Sequence, residues 1–282
     1  MNHKPNLTKI IQRIEELNLD PDQLKDLLKD IKYPGLRTQK PPLDLSKLVE
    51  KGKVRLGVVG DTQLNSTGCR WDYLHALYTF FKDERVHAVL HPGDFTDGYR
   101  RYEEHTSEVH YLAYKDIVNL VTEDYPHVGI PTYFIGGNND RTYLTKLKKD
   151  ICADIAARRK DLHYLGMNHA SVRFDNVVID LIHPIHLNRG AYTISYPLQN
   201  LIGAYKSGRK PNILLVGGYH KLYELPEWRE IKSFLVCSTA DPTPTMVAKR
   251  HGSDCAGLIL HLDLTKEGNL GELKVTKFPF YR

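Results

Sequence analysis

Residues 54–63 read VRLGVVGDTQ, residues 86–95 read VHAVLHPGDF and residues 131–140 read PTYFIGGNND. Each is a short run of apolar, largely β-branched or aromatic residues that ends in glycine and a small polar cluster. That is the pattern of a buried strand running into a tight loop. Stretches with apolar residues at helical spacing lie between them, near 70–84 and 104–122, and another follows near 144–158. Buried strands alternating with amphipathic helices predict parallel crossovers and a sheet covered on both faces.

Working outward from this core, the second half changes character. ASVRFD (170–175) and VVIDLIHP (177–184) predict a hairpin turning at Asp175-Asn176, and a helix near 194–206 leads into NILLVGGYH (212–220). IKSFLVC (231–237), AGLILHLDL (256–264) and GELKVTKFPF (271–280) follow without helices between them, as expected of antiparallel strands. An α/β fold of two mixed sheets packed face to face, with helices outside as a four-layer αββα sandwich, is the architecture expected for residues 51–282.

Two segments precede it. Residues 1–32 carry Leu7, Ile10, Ile14 and Leu17, then Leu24, Leu28 and Ile31, with Asp20-Pro21 between as a helix cap and a proline at the first helical position. They predict a helical hairpin, an appendage on the main domain or an element that docks a protein partner or nucleic acid. Residues 33–50, with Pro34-Gly35 and Pro41-Pro42, read as a linker.

At 282 residues with 41% hydrophobic content, the chain has ample material for a buried core. A formal charge of +5 permits an anionic ligand without demanding one. Basic clusters at Arg100-Arg101, Lys146, Lys148-Lys149, Arg158-Arg159-Lys160 and Lys206 to Lys210 are ordinarily solvated faces, with nucleic-acid binding as the alternative reading. Cys69, Cys152, Cys237 and Cys255 lie far apart, so no thiolate metal site or redox motif is read from them. With no leader-like N-terminus and no run near the ~20 apolar residues of a membrane helix, the expectation is a cytoplasmic protein with no membrane association.

Five apolar strands end in small polar clusters: Gly60-Asp61-Thr62-Gln63, Gly93-Asp94-Phe95, Gly137-Asn138-Asn139-Asp140, His183-Pro184 and Gly217-Gly218-Tyr219-His220. Singly, each has a plain explanation as a cap, a turn or a satisfied histidine. Jointly they point to one place, because ligands of α/β sheets bind beyond the carboxyl ends of strands.

In this order and setting, residues 54–280 resemble the calcineurin-like metallophosphoesterases. The family pattern is Asp-x-His, Gly-Asp, Gly-Asn-His-Asp or Glu, a lone His, and Gly-His-x-His. Further likeness to bacterial and phage-type members lies in residues 73–77, 89–91, 97–99 and 161–166. The resemblance implies a first metal held by Asp61, the residue at 63, a bridging Asp94 and His220. It implies a second metal held by Asp94, Asn138, His183 and the residue at 218. The catalytic pair would be positions 139, where the family places its general-acid histidine, and 140, here Asp140.

Three of those positions depart from the family. Gln63 and Gly218 stand where metal-binding histidines are expected, and Asn139 stands where the proton donor is expected. A Gln amide favours a hard cation over zinc or iron, so manganese or magnesium is expected, as at most one ion. Asn139 cannot act as an acid, a loss of roughly 100- to 10,000-fold in rate. The chain is therefore expected to be a weakly active phosphoesterase or a pseudoenzyme serving as a binding or scaffold module. The alternative is an active phosphodiesterase or nuclease working with one manganese- or magnesium-type ion. His91 and His186 are spare imidazoles that such a site could recruit.

Overall fold

The computed structural model describes residues 41–185, 193–205, 210–248 and 252–280. The predicted hairpin of residues 1–32, most of the linker, His186 and Lys206 to Arg209 lie outside them. From Pro42 onward the chain forms one unit, so residues 43–50 belong to the domain and not to a linker. Leu43–Asp44 (β1) pairs with a later strand, and Leu45 is buried in the core.

The first half alternates as read. Strands β2 (Lys53–Val58), β3 (Ala88–His91), β4 (Thr132–Gly136) and β5 (Leu162–Met167) run parallel in sequence order. Helices α1 (Trp71–Asp83) and α2 (Tyr114–Asp124), then α3 (Arg141–Leu147) and α4 (Ile151–Arg158), connect them. Two antiparallel strands, β11 (Ala256–Leu264) and β12 (Leu270–Pro279), extend this sheet beside β2, giving the order β12-β11-β2-β3-β4-β5.

The second sheet begins with the predicted hairpin, β6 (His169–Phe174) and β7 (Val177–Ile182), whose register closes at Phe174 opposite Val177. After α5 (Tyr196–Ala204) come β8 (Ile213–Val216), β9 (Tyr223–Trp228) and β10 (Ile231–Leu235), then a short helix α6 (Pro244–Ala248). The order is β1-β6-β7-β8-β10-β9.

Alternate residues of each strand point to different layers, which explains the uninterrupted apolar runs. Leu56, Leu90 and Ile135 meet Ile179, Leu181 and Leu215 between the sheets. Their neighbours Val89 and Phe134 pack outward against Leu77, Phe81 and Val118 of the helices. On the far side Leu214 and Val216 receive Leu198 and Ile202 of α5. Each such side chain contributes about 1.5–3 kcal/mol on burial, so the four-layer sandwich follows directly from the run pattern.

Two predicted helices are divided. The stretch 104–122 begins as a 3-10 turn (Glu103–Ser107) and becomes α-helical only at Tyr114, because Asn65 captures the backbone between. Its side chain accepts from the Tyr111 amide and donates to the Tyr111 carbonyl, each at 2.9 Å. The stretch 144–158 breaks where Lys148 turns left-handed (φ 58°) and Asp150 caps α4 by accepting from the Ala153 amide at 3.2 Å. No helix among the described residues is long and apolar enough to cross a membrane.

Candidate metal centre

The loops after β2, β3, β4, β7 and β8 meet at one end of the sheets, and they bring the five clusters together. Asp61 follows β2. Both its carboxylate oxygens accept from the Gly218 amide, at 3.0 and 2.8 Å, and its carbonyl accepts from the Ser238 hydroxyl at 2.6 Å. Asp94 follows β3 and accepts the Asn139 amide at 2.8 Å. The Gly137 Cα packs so closely that an added Cβ would lie 2.1 Å from Asp94 Oδ1, so only glycine permits this approach. Asp61, Asp94 and His220 are buried, and each offers a ligand atom within 4.8 Å of the other two.

Gln63 and Asn139 form a bridge beside this trio. Gln63 Nε2 donates to Asp94 Oδ2 at 3.2 Å, and Gln63 Oε1 accepts from Asn139 Nδ2 at 2.7 Å. In this arrangement the Gln63 oxygen faces Asn139, and its nitrogen faces the carboxylate.

On the other side of Asp94, His183 Nδ1 faces the Pro92 carbonyl at 3.0 Å, while Nε2 faces Asn138 Oδ1 at 2.8 Å and Asp94 Oδ1 at 3.3 Å. Acceptors at both ring nitrogens favour the imidazolium. Burial opposes that charge, but the carboxylate of Asp94 outweighs it and raises the His183 pKa. Reciprocally, burial pushes the Asp94 carboxyl up, and the imidazolium with its hydrogen bond brings it below the ordinary range. Gly218 adds a backbone amide and no side chain, and its φ of 87° lies in the region that favours glycine.

Asp140 stands next to Asn139 in sequence but faces the protein. Its Oδ2 accepts from the amides of Phe95 (3.0 Å) and Gly137 (2.8 Å). Its Oδ1 accepts from the amide and hydroxyl of Thr96, at 2.8 and 2.6 Å. All four acceptor positions are thus taken in tying the β3 turn to the β4 turn. Burial, followed by the nearby charge of Asp94, raises its pKa to about 6. This geometry gives it the work of a clamp, in place of the catalytic role expected from its position.

His91 is likewise built into the protein. Its Nδ1 accepts from the Gly93 amide at 3.2 Å, and its Nε2 lies 3.1 Å from the Thr62 hydroxyl, which itself donates to the Phe95 carbonyl. Burial, with the charge of His183 adding to it, lowers its pKa to about 3 and keeps it neutral.

Beside the trio opens a cavity of about 170 Å³ whose wall includes Gln63, Asn139, His220, Arg101, Tyr102 and Thr243. Arg101 appears in the sequence only as part of a basic cluster. Its donation to Asp97 at 2.5 Å and to Asn139 at 3.3 Å is invisible in the one-dimensional pattern. Arg159, from another basic cluster, is occupied with Asp161 and the carbonyls of Thr122, Tyr125 and Pro126.

The donor set fits a divalent cation on one side. Two carboxylates and an imidazole converge at Asp61, Asp94 and His220 in a buried setting.

Among solved structures, the chain is similar to a predicted phosphoesterase of Streptococcus pneumoniae, at 15% identity over 82% of this chain and 99% of that one (TM-score 0.39). It is similar to zinc-complexed Vps29 of Entamoeba histolytica, at 13% identity over 81% and 100% (TM-score 0.40). It is similar also to YfcE, a phosphoesterase of E. coli, at 13% identity over 78% and 98% (TM-score 0.42). Likeness at this level carries no functional argument. No curated protein matches the chain. The calcineurin-like phosphoesterase model matches residues 54–252, more than half of the chain and all five strand-end clusters, and by that match the chain belongs to the calcineurin-like phosphoesterase family.

Proposed function

We propose that this chain binds one hard divalent cation, manganese or magnesium in preference to zinc or iron, and hydrolyses phosphate esters slowly or not at all, so that it serves as a binding or scaffold module. The observation that supports this is the amide bridge from Asn139 through Gln63 to Asp94. It fills the two positions from which a metal-binding imidazole and a proton donor would otherwise act.

Asp61, Asp94 and His220 would hold the ion. When bound, it supplies Lewis-acid polarisation of a phosphoryl oxygen and a more acidic water. Asn139 can donate a hydrogen bond to a phosphoryl oxygen, but its amide has no proton to give a leaving alkoxide. On the other side, Asp94 is shared, Asn138 and His183 hydrogen-bond each other, and position 218 contributes no side chain. A second ion there would have to displace the proton on His183. A single-ion hydrolase is the second reading, favoured by the intact Asp61, Asp94 and His220 trio.

Hydrolysis of bis-p-nitrophenyl phosphate with manganese separates the two. The wild-type rate is expected at least ~100-fold below the ~10 per second typical of enzymes. The triple variant Gln63→His, Asn139→His, Gly218→His is expected to gain ~100-fold or more, with Asn139→His alone recovering little. Gly218→His carries a backbone penalty of about 1–2 kcal/mol at its left-handed φ, so the comparison requires a folded variant. Wild-type turnover near ~10 per second would overturn the slow-turnover proposal in favour of the single-ion hydrolase.

A further inference from the structure

We infer that Arg101 anchors the phosphoryl group of the ester bound in the cavity beside the carboxylate pair, and that Asp97 and His105 are its positioning residues. This rests on the proposed phosphate-ester ligand and adds the residue that would select for a tetrahedral oxyanion.

Arg101 shares the cavity wall with Gln63, Asn139 and His220, so its guanidinium borders the same space as the proposed ion. Behind it stands a buried charge network. Asp97 Oδ1 accepts from Arg101 at 2.5 Å, and Asp97 Oδ2 lies 3.1 Å from His105 Nε2. Asp97 and His105 are both at most 1% exposed. A buried carboxylate gripped by an imidazole on one side and a guanidinium on the other holds the plane of that guanidinium.

The grip leaves donors over. An arginine has five N–H donors, and the hydrogen bonds of Arg101 to Asp97 and Asn139 occupy one on each terminal nitrogen. Its Nε is buried with no hydrogen-bond partner among the described residues, a costly arrangement that a small rotation onto a ligand oxygen would relieve. The side chain remains 21% exposed, which leaves an open face.

The loop that carries it is pinned. The Tyr99 amide donates to the Thr142 hydroxyl at 2.6 Å, the Lys146 ammonium donates to the Arg100 carbonyl, and Arg100 itself holds φ 44°. A backbone strained and tied down at the two residues just before Arg101 is a device for fixing that side chain beside a site. Each carboxylate on the cavity wall has a cationic neighbour, Asp97 in Arg101 and Asp241 in Arg70 at 3.3 Å, which it shares with Asp72 at 2.7 Å. At about 170 Å³ the cavity is below the ~300 Å³ of ordinary small-molecule sites and suits a phosphoryl group with the first atoms of its substituent.

The test uses the full chain loaded with manganese and titrated calorimetrically with inorganic phosphate. Arg101→Met is expected to weaken phosphate binding at least ~10-fold, the scale of one charge-assisted hydrogen bond, while manganese affinity changes by less than ~2-fold. His105→Leu should weaken phosphate by roughly 3- to 10-fold, and His105→Gln, whose amide can still donate to Asp97, should restore most of it. Should Arg101→Met fail to fold, phenylglyoxal modification of the wild type decides, with phosphate expected to protect Arg101 in peptide maps. Phosphate affinity unchanged in folded Arg101→Met, or no protection of Arg101, would overturn the assignment. Equal losses in the two His105 variants would overturn the positioning role. Rapid wild-type turnover would bear only on the slow-turnover proposal, since the affinity comparison does not depend on rate.

Discussion

Asp61, Gln63, Asp94 and His220 all hold left-handed backbone, with φ between 46° and 54°. For residues with a Cβ this costs about 1–2 kcal/mol each, and such strain gathers where a side chain must be aimed at a site. Here it falls in the loops just beyond the ends of β2, β3 and β8. His91 shows what the same surroundings do to a group that is only structural. Its pKa is lowered to about 3, first by burial and then by the charge of His183. The unfolded state therefore binds a proton below pH 6.5 that the folded state refuses, so this contribution to stability is present above pH 6.5 and is lost as pH falls towards 3. Asp140, with its pKa raised to about 6, slopes the other way between pH 4 and 6. A difference between wild type and His91→Gln cancels that common term. In urea denaturation, the wild type is expected to lose stability relative to His91→Gln by up to about 1.4 kcal/mol per pH unit below 6.5. Parallel stability curves for the two proteins down to pH 4 would show that His91 does not titrate in this way. The identities and order of these residues were legible in the sequence. Their backbone angles, and the fact that Gln63 and Asn139 satisfy each other, were not, because both depend on side chains brought together from positions 76 apart.

At the scale of elements, one of the two divided helices is interrupted by a partner from elsewhere and the other by its own residues. Periodicity in 104–122 was real, since Ile117, Val118 and Val121 are buried on α2, but nothing local announces that Asn65 will take the backbone at 110 and 111. The break at 148–150 did carry a local sign, Asp150 at a capping position, that helical spacing overrode. Asn65 is thus a single residue that shapes an element nearly fifty positions away. It holds φ 78° and makes two side-chain hydrogen bonds to Tyr111. Asn65→Gly keeps the backbone freedom and loses both bonds, an expected destabilisation of about 2 kcal/mol. Asn65→Ala adds the left-handed penalty and should cost about 1–2 kcal/mol more. Denaturant midpoints give both numbers, and an alanine variant as stable as the glycine variant would show that the backbone at 65 relaxes.

Across the whole molecule, the candidate centre lies where the two sheets meet at their carboxyl ends. Asp61 and Asp94 come from the loops of β2 and β3 in one sheet, and His220 and Gly218 come from the loop after β8 in the other. The two-sheet architecture was legible because the central strands β3, β4 and β8 are buried on both faces and read as unbroken apolar runs. The point of contact between the sheets was legible only through the order of the clusters. An ion held by Asp61, Asp94 and His220 would tie the sheets together, and because the unfolded chain cannot present that trio, binding adds directly to stability. At a free manganese concentration of 100 times Kd the gain is about 2.7 kcal/mol, or roughly 5–10 °C in the melting temperature of a unit this size. Calorimetry with manganese against chelator measures it. His220→Ala is expected to abolish the gain. His183→Ala is expected to retain most of it, because His183 serves the half that has lost position 218, and because the proton shared with Asp94 leaves with it. Removal of that proton also frees Asp94 to ligate, so manganese affinity in His183→Ala should be equal to or higher than in the wild type. If instead His183→Ala loses the gain as fully as His220→Ala, the ion sits between both halves of the site, and the single-ion proposal gives way to a shared centre in which Gly218 is bridged by another donor.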